Sequence, residues 1–205
     1  MARYRGPKNK IARRFQANVF GRARNPMLHK QNPPGMHGAR RRKKSDYGLQ
    51  LEEKQKLKAS FGMISEKQLL RYYREAVRRE GNTSHTLLEM LESRLDNIVY
   101  RLKLAPTILA AHQLVAHGHI QVNGKKVDIR SFLVKPGMEI SIREKSRKIA
   151  CVLNALEGGR DVPEYLSLNK DAFSGTMLAT PKYDLVSLPM PVNVAVVCEF
   201  LAHTK

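Results

Sequence analysis

The chain has 205 residues, with 37 Lys or Arg against 18 Asp or Glu, a formal charge of +19 and 42% apolar residues. That suffices for one or two folded domains whose basic parts lie outside the core. No run approaches the roughly 18 to 20 apolar residues of a membrane span, and the charge favours nucleic acid over an anionic membrane as partner.

The charge is unevenly spread. Residues 1–45 hold 14 Lys or Arg and no acid, 46–149 hold 19 against 12, and 150–205 hold 4 against 6. So concentrated a cation repels itself and is expected to order against phosphate. Pro33-Pro34-Gly35 breaks regular structure, and residues 1–45 therefore read as an extended basic arm. Its cations include Arg3, Arg5, Lys8, Arg13 and Arg14, then the run Arg40-Arg41-Arg42-Lys43-Lys44. Tyr4, Phe15, Phe20, His29 and His37 lie between them and can stack on bases. The same run also reads as a solvated tail. The basic start leaves no apolar core for a secretion signal. It also fits an organelle transit peptide with Ile11, Phe15 and Val19 as apolar face, although the basic character continues to Lys44.

From Ser45 the pattern turns helical. Leu51, Leu57, Phe61 and Met63 take the buried positions, while Tyr47, Lys54, Lys56 and Lys58 are expected outside. Ser65 can cap a helix reaching Glu80, closed by Gly81. On it Leu69, Leu70, Tyr73 and Val77 form the apolar face, and Arg71, Arg74 and Arg78 line another. Guanidinium forks at that spacing suit phosphate, and an ordinary solvated helix face is the plainer reading.

Thr83 or Ser84 caps the next helix. Leu87, Leu88, Leu91, Leu95, Ile98, Val99 and Leu102 recur at three- and four-residue steps, which predicts one helix stopping near Leu104, before Pro106. A shorter helix runs from a Thr107 cap to Gly118. Ile120 and Val122 then alternate with polar residues, and Asn123-Gly124 supplies the two positive φ angles of a type I′ turn, so a hairpin follows. The exposed faces of this unit are expected to carry Arg94, Arg101, Lys103, His112, Gln113, His117, His119, Asn123, Lys125 and Lys126, a combination suited to phosphates and splayed bases.

Met138, Ile140 and Ile142 alternate with Glu139, Ser141 and Arg143 as a strand pairing back toward the hairpin, its basic edge extended by Lys145, Arg147 and Lys148. Ile149 to Leu156 read as a short helix. The segments around Tyr165–Leu168 and Thr176–Leu178 read as short strands of an antiparallel sheet. Asn193 can cap a final helix over Val194–Leu201, although the apolar run alone does not separate helix from strand.

The resulting class is α+β: a basic arm (1–45), a helical domain (46–93) completed by a C-terminal helix (193–205), a small domain of two helices plus a hairpin (94–157), and a short-strand region packed on it (158–192), continuing the hairpin into a small antiparallel sheet.

No catalytic signature appears: no phosphate-binding glycine loop, nucleophile elbow or His-Glu-x-x-His. His112, His117 and His119 lack the third donor and dry pocket of a metal centre, and contact with RNA is the reading preferred. The two cysteines, Cys151 and Cys198, give no disulfide framework and fit a reducing cytosol.

Several segments together resemble a known family. Arg94-Leu95-Asp96-Asn97 with Tyr100-Arg101, Gln113-Leu114-Val115, His117-Gly118-His119-Ile120, Val122-Asn123-Gly124 and Ser141-Ile142-Arg143-Glu144-Lys145 resemble the bacterial-type fourth protein of the small ribosomal subunit. The flanks Ala2 to Lys8, Pro34 to Arg40 and Ser45 to Leu51 extend the resemblance over nearly the whole chain. It implies a structural, non-enzymatic protein of the cytoplasmic small subunit. Such a protein binds the 5′ domain of 16S ribosomal RNA at a helix junction, nucleates assembly of the subunit body and takes no small-molecule substrate. It sits beside the third and fifth small-subunit proteins and near the messenger RNA entry path, and acts with the fifth and twelfth in translational accuracy. Some relatives also repress their own messenger RNA. Many bind zinc through an N-terminal cysteine cluster, but Asn9 stands near where a cysteine is expected, so no structural zinc and no cofactor are expected here. A second reading is a free RNA-binding or RNA-modifying protein using the same small domain. Asp96 resembles the catalytic aspartate of pseudouridine synthases, yet its place on an apolar helix suits ordering nearby arginines through charge-assisted hydrogen bonds.

Overall fold

A computed structural model describes residues 4–22, 25, 27, 30–40 and 43–204. The chain divides into two compact units, Met1–Leu87 with Ser187–Lys205, and Leu88–Val186.

The first unit is helical. Helix α1 (Lys8–Phe15) occupies part of the segment expected to be extended. Apolar side chains explain the difference. Ala12, Val19 and Phe20 are buried, and Ile11 and Phe15 pack against a cluster of Val19, Ala59 and Met190. Helix α2 (Asp46–Ser60) starts at Ser45, whose hydroxyl accepts from the Gly48 N–H, and α3 (Glu66–Arg78) starts at Ser65, which accepts from Gln68. Both caps satisfy N–H groups that a helix start leaves orphaned. The buried face of α3 is Leu69, as expected, with Tyr72 and Ala76 in place of Tyr73 and Val77, and Val77 is 54% exposed.

Helix α4 (Thr83–Glu92) is followed by α5 (Leu95–Arg101), not by a continuation of itself. The apolar period runs unbroken through the gap, but the backbone there pairs elsewhere. Arg94 forms an antiparallel bridge with Leu133, Leu95 N–H donates to Phe132 O at 2.8 Å, and Val134 N–H donates to Ser93 O at 2.9 Å. Helix α5 ends sooner than expected, with Lys103 at φ +58°. Helix α6 (Ile108–Ala116) begins at the Thr107 cap, which accepts from Ala110 N–H at 3.1 Å.

The second unit is completed by a five-stranded antiparallel sheet in the order β2-β1-β3-β5-β4. Its strands are β1 (Ile120–Val122), β2 (Lys125–Lys126), β3 (Glu139–Ile142), β4 (Leu166–Asn169) and β5 (Ser174–Met177). Asn123 (φ +49°) and Gly124 (φ +75°) turn β1 into β2, with Val122 opposite Lys125. Ile120, Val122, Ile140 and Ile142 face a core that includes Leu95, Ile98, Val99, Leu102, Leu114 and Val115. A short 3-10 turn (Glu144–Ser146) and helix α7 (Ala150–Leu156) separate β3 from β4.

In β5, a Cβ on Gly175 would lie 2.5 Å from Leu102 Cδ2 and 2.6 Å from Ser167 O. Gly175→Ala is therefore expected to destabilise the protein by about 2 to 3 kcal/mol through overpacking, read as a lowered midpoint in urea unfolding.

Helix α8 (Val194–Ala202) closes the first unit. It is capped by Asn193, which accepts from Val196 N–H at 3.3 Å, and it packs on α2 and α3. The Asn193 N–H donates to Glu53 Oε2 at 2.7 Å, and the Tyr47 and Phe200 rings stand 5.4 Å apart.

Candidate nucleic-acid interface

Which cations can meet phosphate depends on which the fold has already neutralised. In the first unit Lys54 and Lys58, expected outside, turn inward. Lys54 Nζ donates to Glu66 Oε1 at 2.9 Å and lies 4.5 Å from the Phe200 ring centroid, and Lys58 Nζ donates to Glu66 Oε2 at 2.7 Å. Burial would raise the Glu66 carboxyl, but the hydrogen bonds and charges of the two ammoniums outweigh it and bring it down. A lysine that far inside needs such a partner.

Arg71, Arg74 and Arg78 are exposed on α3, opposite its buried side. Arg5, Arg14, Arg40 and Lys43 are exposed and Lys8 is half-buried. Lys44 is exposed and pairs with Glu52. Arg13 donates to the main-chain carbonyl of Asn32 from Nε (3.0 Å) and Nη2 (2.8 Å), fastening two parts of the basic segment together while keeping its charge. Tyr47 is 64% exposed. Phe20 is buried and not available to stack on a base. Arg3, His29, Arg41 and Arg42 lie outside the described residues.

In the second unit, three side chains expected on the surface belong to the interior. Arg94 is 3% exposed. Its Nε donates to Asp96 Oδ1 at 3.0 Å and its Nη2 to Oδ2 at 2.6 Å, while His112 Nε2 lies 3.2 Å from the same Oδ2. Burial alone would raise the Asp96 carboxyl; the Arg94 charge, the adjacent His112 ring and the hydrogen bonds from Arg94 hold it at about 2 instead. Arg101 is committed in the same way. Its Nε donates to the fully buried Glu92 carboxylate at 2.6 Å, which also accepts from the Tyr165 hydroxyl at 2.6 Å. The expectation that Asp96 orders arginines fits this geometry, and the exposed placement of Arg94, Arg101 and His112 is corrected by it. The apolar stripe could not reveal this, because each pair closes through a turn or a second helix.

The outward groups of this unit gather around the hairpin. Gln113 and His117 at the end of α6, Asn123 in the turn, and Lys125 and Lys126 on β2 are exposed, and His119 is half-buried. Asn123 also has a structural task, since its Oδ1 accepts from Glu139 N–H at 2.9 Å. Arg143, legible in the sequence only as an outward strand position, joins this group because β1 and β3 pair with Ile120 opposite Ile142. Its Nη1 donates to Gly118 O at 3.3 Å. Among the described residues no three His, Cys, Asp or Glu side chains gather as a metal site, and no helix is long and apolar enough to cross a membrane.

Helix pair, hairpin and basic rim define the class of protein. A family model described as the S4 domain matches residues 93–140, and one described as the ribosomal protein S4/S9 N-terminal domain matches residues 3–92. The small ribosomal subunit protein uS4 of Protochlamydia amoebophila is 65% identical over 205 residues, covering 100% of both chains. Those of Chlamydia muridarum and Chlamydia pneumoniae are 63% and 58% identical over 207 residues, covering 99% of each chain. The chain belongs to the uS4 family of small ribosomal subunit proteins.

Proposed function

We propose that this protein is a structural, non-enzymatic constituent of the small ribosomal subunit that binds the 5′ domain of 16S ribosomal RNA and nucleates assembly of the subunit body. The observation that carries the proposal is the full-length identity of 58 to 65% to proteins named small ribosomal subunit protein uS4. Each unit adds support of its own, an exposed arginine face on α3 in one and a lysine-edged hairpin in the other. In the assembled particle its neighbours are the third and fifth proteins, and it acts in translational accuracy with the fifth and twelfth. Its place is the cytoplasmic small subunit.

An RNA junction concentrates phosphate from several helices, so affinity comes mainly from counterion release and shape. If about 7 phosphates are neutralised, log affinity plotted against log salt has a slope of about −5. Titration of the purified protein with a 5′-domain transcript across a salt series measures this, and a slope near zero would contradict the electrostatic mechanism. Sedimentation tests the assembly role. The protein is expected to comigrate stoichiometrically with small subunits, and a free pool without subunit association would count against it.

A further inference from the structure

The corner where α6 runs into β1 differs from the paired interior. Gly118 adopts φ +71°, and a Cβ there would lie 2.2 Å from Lys126 Cε and 3.0 Å from its Nζ. The lysine stem thus lies across a peptide bare of side chain. From the end of β3, Arg143 donates through Nη1 to Gly118 O and through its main-chain N–H to His119 O at 3.0 Å. Two cations from different strands therefore meet on one turn. The His119 ring is fixed through Nδ1, 2.9 Å from Ser146 Oγ, which leaves Nε2 as its other polar atom, and the His117 ring centroid is 6.1 Å away.

We propose that this corner is a subsite for an RNA phosphate, at which His119 takes up a proton as the phosphate docks. The proposal rests on the RNA-binding reading above and adds to it a location and a proton. His117 from the end of α6, Arg143 just after β3 and Ser146 on the 3-10 turn neighbour the His119 ring, Lys126 on β2 lies against the adjoining Gly118, and Glu144 and Lys145 follow Arg143 on the turn. Lys126, Arg143 and Lys145 outnumber the exposed Glu144, so the corner keeps a net positive charge. Burial, then the neighbouring His117 and Arg143, lower the proton affinity of His119 in the free protein. A phosphodiester brought against Lys126 and Arg143 reverses that balance. A solvent proton adds to Nε2 while Nδ1–H donates to Ser146 Oγ, and the imidazolium then faces the anion. Because the bound state holds the extra proton, affinity rises as pH falls.

The test uses the full chain and the 5′-domain transcript at fixed salt. On going from about pH 7.5 to about pH 5.5, wild-type affinity is expected to rise about fivefold, within the tenfold per pH unit that one linked proton permits. His119→Gln, whose amide still reaches Ser146, is expected to gain less than about twofold over the same range. Proton NMR of the His119 ring supplies a second measure in the unmutated protein, where the titration is expected to move upward on RNA binding. Equal pH gains in wild type and His119→Gln, a flat wild-type profile with the transcript bound, or an unmoved His119 titration would overturn the proposal while leaving RNA binding intact. Failure of the wild type to bind the transcript at moderate salt would remove the RNA-binding reading and this inference together.

Discussion

Replacing Asp96 by alanine is expected to cost about 3 to 5 kcal/mol of stability, because it leaves the Arg94 guanidinium buried without its counter-ion. Arg94 and Asp96 are 3% and 1% exposed, so water does not replace the missing partner. Asp96 Oδ1 also accepts the Asn97 N–H at 3.0 Å, and the Asp96 N–H donates to Arg130 O at 3.3 Å, so the change reaches the start of α5 and the segment paired with it. Urea unfolding measures the loss, and a change below about 1 kcal/mol would show that the pair is not an energetic anchor. Acid should act on the same group. Its carboxyl titrates at about 2 when folded, against 3.8 for the unperturbed group. The folded value is the lower one, so the contribution is complete above about pH 4 and is lost as pH falls toward about 2, amounting to about 2 kcal/mol. Asp96→Asn, which keeps the size but not the charge, is expected to remove that portion of the acid dependence.

The second large effect concerns binding. Changing Arg40, Arg41, Arg42, Lys43 and Lys44 together to alanine removes five of the cations expected to contact RNA. On the counterion-release account it is expected to weaken binding to the 5′-domain transcript on the order of a hundredfold and to make the salt slope shallower by about 3. The fold should change little, since the contact of exposed Lys44 with Glu52 is worth at most about 1 kcal/mol. Circular dichroism separates the outcomes. Unchanged helicity with weakened binding supports an RNA-facing role, whereas lost helicity assigns the run a structural one.

Features set by neighbouring residues were the ones readable in the sequence. The caps at Ser45, Ser65, Thr107 and Asn193 each accept from an N–H three residues on, and Asn123-Gly124 turns the hairpin, because these motifs depend only on local chain geometry. Features set by distant partners were not. The helix break at Ser93-Arg94 is made by Leu133 and Val134, some 40 residues away, and no propensity at the break announces it. Helix α1 was hidden by its charge, since Ala12, Val19 and Phe20 are few among many cations. The basic surface was legible as composition, but sorting its members required knowing where Asp96, Glu92 and Glu66 sit. Three carboxylates withdraw Arg94, Arg101, Lys54 and Lys58 from it, and strand pairing adds Arg143.

The return of α8 to α2 sets an order on biosynthesis. Every residue of Leu88–Val186 is polymerised before Val194, and α2, made early, waits for the last helix of the fold before it is covered. A product truncated before Val194 would keep every residue of Leu88–Val186 while Lys54 is deprived of the Phe200 ring over which it lies. Such a product would be a target for quality-control proteases through its helical half alone.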